Sequence, residues 1–339
     1  MSEYPLVSIC IPAFNSSKWI KSTIQSAISQ TWPNKEIIIV DDGSTDNTLD
    51  LVREFRSDLI NIITQKNRGA SAARNRALFS AKGDFIQWLD ADDILAPDKI
   101  EIQLRNSDKK PTSKVLHSSS WGCFYHRLRS ARFVQTPLWQ DLSPIQYLSY
   151  HLGEADFLPP LCWLVSRSIA ESAGDWDERL SYNDDGEYFC RVICASDLIR
   201  FHRDARGFYR TGNLSSLSRS LHYSEKAWRS YSLSINLCVE HSLKLENSDE
   251  IRRACISALN MVISYKNLGD LEIIKENEKR IIELGGQNRL PKMSFIHQIV
   301  AKIIGIRRAN SLKAQMWLLQ IVIARYWDKL LSLVYGDEI

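Results

Sequence analysis

Gly83-Asp84-Phe85-Ile86-Gln87-Trp88-Leu89-Asp90-Ala91-Asp92-Asp93 joins two kinds of sequence. Its first part opens on a glycine and is rich in aromatic and aliphatic residues, which reads as a buried strand. Its second part puts three carboxylates into the four residues where that strand should end. Open α/β sheets bind their ligands just beyond the carboxyl ends of their strands, so a ligand site is expected here. Asp90 and Asp92 offer two hard oxygen ligands to one divalent ion, Mg²⁺ or Mn²⁺, of the kind that bridges a diphosphate. Taken alone, the same pattern also describes an acidic turn that caps a helix.

The preceding residues supply the context. Residues 6–11 form an apolar run of strand length closed by Pro12, and residues 36–40 form a second. Between them Trp19, Ile20, Ile24, Ala27 and Ile28 recur at helical spacing, with Ser16 or Ser17 as the N-cap. This is a right-handed βαβ unit whose strand ends share one edge. It puts Phe14 beside Asp42, an aromatic face and a carboxylate fit to stack on a uracil-like base and to accept from its ring N–H. Asp46, in the acidic run after the second strand, reads as a cap for a helix starting near Thr48. A third strand over 59–64 leads into a helix of small residues from Gly69. On it Arg74 is either in reach of phosphates or a solvated surface arginine. Neither Gly-x-Gly-x-x-Gly nor Gly-x-x-x-x-Gly-Lys occurs, which argues against a dinucleotide fingerprint or a P-loop.

With 339 residues, 44% of them hydrophobic, the chain can bury a full core. A net charge of +3 from nearly balanced acids and bases gives no bulk electrostatic case for nucleic acid. The first residues lack a basic segment and a cleavage site, so no export is expected. The seven cysteines are scattered, which suits a reducing, cytoplasmic setting.

From about Ser220 strand signals give way to helical periodicity over 226–243, 249–268, 271–284, 295–304 and 311–334. The expected division is an α/β domain over 1–218 and a helical region over 219–339. The last of these helices carries Leu312, Met316, Leu319, Ile323, Tyr326, Trp327, Leu330 and Val334 along one broad stripe, with Lys313, Arg325 and Lys329 among them. Such a basic amphipathic helix suits peripheral contact with the inner face of a membrane; docking onto the chain itself or a second copy uses the same stripe.

Four stretches carry a family resemblance. Val7-Ser8-Ile9-Cys10-Ile11-Pro12-Ala13-Phe14-Asn15, Val40-Asp41-Asp42-Gly43-Ser44-Thr45-Asp46, Asn67-x-Gly69-x-Ser71-x-Ala73-Arg74-Asn75 and Leu89-Asp90-Ala91-Asp92-Asp93 resemble, in order, the signatures of the family 2 glycosyltransferases. The resemblance implies the GT-A fold, an α/β nucleotide-binding domain with a mostly parallel central sheet flanked by helices. It also implies inverting transfer of a sugar from a nucleotide donor with Mg²⁺ or Mn²⁺. By position, Pro12 and Phe14 would line the base pocket, with Asn15 in the same nucleotide-sugar-binding loop. Asp42 would bind the base, Asp90 would lie by the ribose and metal, and Asp92 would ligate the metal.

Gly174-Asp175-Trp176-Asp177-Glu178-Arg179-Leu180-x-x-Asn183-Asp184-Asp185-Gly186-Glu187 resembles the family's late acidic motif, whose second carboxylate is the base. Asp185 holds that second place and Asp184 the first, where Glu is usual, so either is a candidate. Read without the resemblance, the pair is an N-cap and acidic first turn for a helix over 187–195. Phe208-Tyr209-Arg210 resembles the family's Tyr-Arg segment, but the histidine that often follows is missing, so no third metal ligand is assigned. Trp163 and Trp176 flank the late motif and are candidate acceptor contacts, although most such aromatics are core.

The chemistry implied is a single displacement. Asp185 would act as general base on the acceptor side and the metal at Asp92 would neutralise the leaving diphosphate. The donor would be UDP-linked and the acceptor a glycan, a lipid-linked saccharide or a polysaccharide precursor. Two other readings remain open at this point: a non-catalytic nucleotide-sugar-binding scaffold and a nucleotide-sugar hydrolase.

Overall fold

The computed structural model describes residues 4–105, 110, 112–211, 224–264, 270–288 and 323–331. The first half alternates strands and helices: β1 (Val7–Ala13), α1 (Ile20–Ile28), β2 (Lys35–Asp41), α2 (Thr48–Arg53), β3 (Ile60–Thr64), α3 (Ala70–Ser80) and β4 (Phe85–Trp88). Then come β5 (Ile94–Leu95), α4 (Lys99–Arg105), β6 (Val115–Phe124), β7 (Arg132–Phe133), α5 (Pro144–Glu154), β8 (Leu164–Ser166), α6 (Arg167–Ala173), α7 (Asp184–Cys194) and β9 (Leu198–Arg210). Helices α8 (Glu225–Leu245), α9 (Asp249–Ser264) and α10 (Leu271–Glu283) follow.

One sheet runs in the order β3-β2-β1-β4-β8-β6-β9-β5, with β7 on β6. The long ladders, β1 with β2 and β4, β2 with β3, and β6 with β9, are parallel; the antiparallel ones are short. β1 and the centre of β2 are apolar almost throughout because helices cover both faces of a parallel sheet. The strand order turns back at β1, which lies between β2 and β4, so the carboxyl ends of these three strands open on one crevice.

Local chemistry adjusts several boundaries. β1 continues through Pro12, which lies past the last β1–β4 pair at Cys10, so its missing N–H costs that ladder nothing. Helix α1 starts at Ile20 without a side-chain cap, because the Ser16 hydroxyl donates to the Phe14 carbonyl at 3.0 Å instead. Helix α7 begins at Asp184 rather than at residue 187. The stretch 104–161, the least legible in sequence, holds the ten-residue β6 and α5, which opens on a Ser143–Gln146 capping box with Pro144 at its start.

Helices α8 and α9 join the same apolar core as the sheet, contributing Trp228, Ile235, Cys238, Ile251 and Leu259. The expected boundary at 218/219 and the expected helix over 295–304 lie outside the described residues, as do residues 311–322 of the last helix. No described helix is long and apolar enough to cross a membrane. Lys99 is fully buried and donates to Gln87 Oε1 (2.6 Å) and Gln103 Oε1 (2.8 Å). Burial pushes its ammonium down to about 7, and a neutral amine has just the two N–H groups those acceptors need.

Candidate active site

The crevice is built from loops that bind one another. After β1, Asn15 takes a left-handed φ of 48°. Its Oδ1 accepts from the Thr45 N–H (2.8 Å), its own N–H donates to Ser44 Oγ (3.0 Å), and the Ser16 N–H donates to Thr48 Oγ1 (2.7 Å). The side-chain oxygen of Asn15 is therefore a latch between the loops after β1 and β2, while the residue itself stays exposed at the crevice. Asp46 Oδ1 accepts from the Thr48 N–H (2.9 Å) just ahead of α2, whose cap residue is Asn47 rather than the expected Asp46.

Asp42 is buried, and its carboxylate accepts from Gln65 Nε2 (2.7 Å) and from the backbone N–H groups of Arg68 (2.9 Å) and Gly69 (2.8 Å). It shapes the loop that leads into α3. Its neighbour Asp41, which the sequence did not single out, is equally buried and has Oδ1 without a hydrogen-bond partner. A buried carboxylate oxygen left open in this way fits a ring N–H from a base. Phe14 stands 47% exposed at the mouth, an open aromatic face beside them, and Pro12 is half-buried.

Arg74 occupies the middle. It is 6% exposed and lies 4.4 Å over the Trp176 ring. Nη2 donates to Asp90 Oδ1 at 2.8 Å and Nη1 to Asp184 Oδ2 at 2.7 Å. A buried guanidinium needs paired charges, and here two carboxylates take Nη1 and Nη2 while Nε has no partner. Sequence spacing could not show this, because the partners lie 16 and 110 residues away.

On the β4 side, Asp90 and Asp92 are half-buried and Asp93 is buried. Burial and the neighbouring Asp92 and Asp90 hold the Asp93 carboxyl well above the usual range. Arg210, at the end of β9, fixes this turn: its N–H donates to Asp93 Oδ1 and its Nε to the Asp92 carbonyl, both at 2.8 Å. The sequence marked Arg210 only as part of a motif. Among the described residues no group of three or more His, Cys, Asp or Glu forms a metal cage. Two half-buried carboxylates at the end of one strand suit an ion that takes its remaining ligands from a diphosphate and water.

On the opposite side, Asp184 and Asp185 open α7. Asn183 precedes them with φ 58°, held by hydrogen bonds with Ser234 of α8 in both directions (2.7 and 2.8 Å). Burial, then Asp184, push the Asp185 carboxyl up to about 6. A small pocket of about 50 Å³ adjoins it, lined in part by Tyr147, His151, Phe157, Asp185 and Phe189. Phe157 is 47% exposed and tilts against Trp121 (5.5 Å), which meets Tyr209 edge-on (5.7 Å). His151 is held neutral by burial, with Nδ1 donating to the Asp156 carbonyl at 2.7 Å.

Trp163 and Trp176 are corrected as acceptor contacts, because both are buried. Trp163 stacks on Phe189 (5.3 Å), and Trp176 stacks on Tyr188 (4.0 Å) under Arg74. Their flanking position in sequence arises from packing behind the site rather than lining it.

Comparison with known proteins agrees with this geometry. Residues 8–172 match the model of the family described as glycosyl transferase family 2. The chain is 43% identical over 106 residues to a chondroitin synthase of Escherichia coli, covering 31% of this chain and 16% of that protein. It is 30% identical over 205 residues to an uncharacterised glycosyltransferase of Rickettsia typhi, covering 58% of this chain and 62% of that one. The chain thus spans less than two thirds of either relative. Among solved structures, S. aureus TarS 1-349 in complex with UDP-GlcNAc superposes with a TM-score of 0.56 at 18% identity, covering 84% of this chain and 93% of that one. The mannosyltransferase PcManGT of Pyrobaculum calidifontis, in complex with GDP-Man and Mn²⁺, gives 0.52 at 18% identity, covering 97% and 89%. Four sequence signatures meet in one crevice, the model of glycosyl transferase family 2 matches over that same region, and the fold is the GT-A fold of these solved structures.

Proposed function

We propose that the chain is an inverting glycosyltransferase that moves a sugar from a nucleotide diphosphate, UDP-linked, to a hydroxyl of a saccharide acceptor. The observation that carries this reading is Arg74, which ties Asp90 on the donor side to Asp184 on the acceptor side. One crevice thereby holds two metal-competent carboxylates and, on the next residue of α7, a carboxyl raised toward neutrality.

In this reading Phe14 stacks on the base while Asp41 and Asp42 face its edge. Asp90 and Asp92 hold Mg²⁺ or Mn²⁺, which when bound neutralises the charge that builds on the leaving diphosphate. Asp185 takes the proton from the acceptor hydroxyl as that oxygen attacks the anomeric carbon from the face opposite the diphosphate. Phe157, open at the rim of the pocket, takes the place of Trp163 and Trp176 as the aromatic platform for an acceptor ring. The neutral His151 adds no cation to compete for Asp185. UDP-GlcNAc in TarS and the chondroitin synthase relative support a UDP donor and a polysaccharide or lipid-linked acceptor; GDP-Man in PcManGT keeps GDP in the test.

The test is nucleotide release from UDP-, GDP- and TDP-sugars, with and without Mn²⁺ and with a panel of glycoside acceptors. Metal-dependent release that acceptors accelerate supports transfer. Equal release without any acceptor supports a hydrolase, and binding without release supports a scaffold.

The setting proposed is cytoplasmic, with peripheral contact at the membrane. Ile323, Tyr326, Trp327 and Leu330 are each at least 55% exposed on one stripe of the helix over 323–331. Wild-type protein is expected to sediment with vesicles containing phosphatidylglycerol, and Tyr326→Ser with Trp327→Ser to reduce the bound fraction several-fold. Equal sedimentation of both proteins would remove this contact, and a concentration-dependent dimer would assign the stripe to a second copy.

A further inference from the structure

The helix over 323–331 is fastened in an unusual way. Its apolar residues Ile323, Tyr326, Trp327 and Leu330 face solvent, while the residue it buries is a carboxylate, Asp328, 6% exposed. Asp328 Oδ2 accepts from the backbone N–H groups of His126 (2.9 Å) and Arg127 (3.2 Å), and Oδ1 from Arg127 Nε (2.7 Å). Burying a carboxylate is unfavourable unless its lone pairs are satisfied, and here three donors converge on it. Asp328 thus fastens the helix to the loop that leaves β6.

That loop borders the donor turn. The Tyr125 carbonyl accepts from Arg210 Nη1 at 2.9 Å, and the same guanidinium donates through Nε to the Asp92 carbonyl. Arg210 also lies 4.2 Å over the Trp19 ring and 4.3 Å over Phe124, and His126 packs on Trp19 at 5.6 Å. A continuous set of contacts thus runs from Asp328 through residues 125–127 to Arg210 and the Asp92–Asp93 turn.

We propose that Asp328 is a positioning residue for the donor site: it clips the C-terminal helix onto the loop after β6 and so fixes Arg210 against the turn that bears Asp92. This rests on the donor-site reading above. No residue of the helix is assigned to the reaction itself, so its effect reaches the chemistry through Arg210.

The experiment uses full-length protein with Asp328→Ala and the isosteric Asp328→Asn, which keeps one acceptor oxygen for the backbone donors but loses the charge facing Arg127. Three readouts are taken. Hydrogen exchange of the peptide spanning residues 205–211 reports the Arg210 N–H bonded to Asp93; it should quicken at least 10-fold in Asp328→Ala and less in Asp328→Asn. Titration with UDP plus MnCl₂ should show donor affinity falling about 10-fold in Asp328→Ala, with Asp328→Asn between. Acceptor KM should stay within twofold, a split that general destabilisation would not give. Unchanged exchange at 205–211 in a folded Asp328→Ala protein overturns the proposal, as does unchanged affinity for Mn²⁺ and UDP. Quickened exchange in a protein whose wild type binds no nucleotide overturns the donor-site reading and, with it, the role given to Asp328. If Asp328→Ala does not fold, Asp328→Asn alone decides on exchange at 205–211 and affinity for UDP with Mn²⁺.

Discussion

Asp185→Asn is expected to lower kcat by about 10²- to 10⁴-fold, the usual range for loss of a general base, while leaving donor affinity unchanged and making the protein more stable. The stability gain follows from the sign of the shift. Asp185 is raised from 3.8 to about 6 by burial and by Asp184. Between those values the folded protein binds more protons than the unfolded chain. The group's contribution is therefore full below pH 3.8 and is lost as the pH rises through about 6. At pH 8 the neutral amide should recover on the order of 1–2 kcal/mol, read by urea unfolding. In the wild type, kcat/KM should fall as the pH drops below about 6 and Asp185 takes up its proton. Near wild-type turnover in Asp185→Asn would remove this residue as the base and send attention to Asp184.

Arg74→Ala should cost about 3–5 kcal/mol of stability, because it strands two partly buried carboxylates that share one guanidinium. Turnover should fall as well. With the cation gone, Asp90 and Asp184 push the Asp185 pKa further up, so the acid limb of the pH profile should move to higher pH. Arg74→Lys keeps the charge but can meet only one carboxylate well, and it should recover part of the stability and little of the turnover. Wild-type unfolding and turnover in Arg74→Ala would show that the Asp90–Arg74–Asp184 bridge holds nothing together.

Much of the fold was legible because the first half is written in local patterns. Apolar runs at 6–11 and 36–40, helical periodicity between them and the glycine before Phe85 locate β1, α1, β2 and β4, and their order places the crevice. The acidic groups were legible for the same reason, since Asp90, Asp92, Asp184 and Asp185 each lie at the end of an element. What was not legible depends on distant partners. The bridge that Arg74 makes to Asp184 appears only when the far side of the chain is brought to it. The latch that Asn15 forms appears only when the loop after β2 meets it. Trp163 and Trp176 read as open aromatic faces because nothing local reveals that Phe189 and Tyr188 cover them. Arg210 and Asp328 act through a loop that only the pairing of β6 with β9 positions.

The most direct measurement is calorimetric titration of UDP and GDP into the protein with and without Mn²⁺, for wild type and Asp92→Asn. One nucleotide should bind the wild type in a metal-dependent manner, and Asp92→Asn should lose at least 10-fold of that affinity while its thermal unfolding without nucleotide stays unchanged. Failure of both nucleotides to bind, or binding indifferent to Mn²⁺ and equal in Asp92→Asn, would contradict a donor site at Asp90 and Asp92.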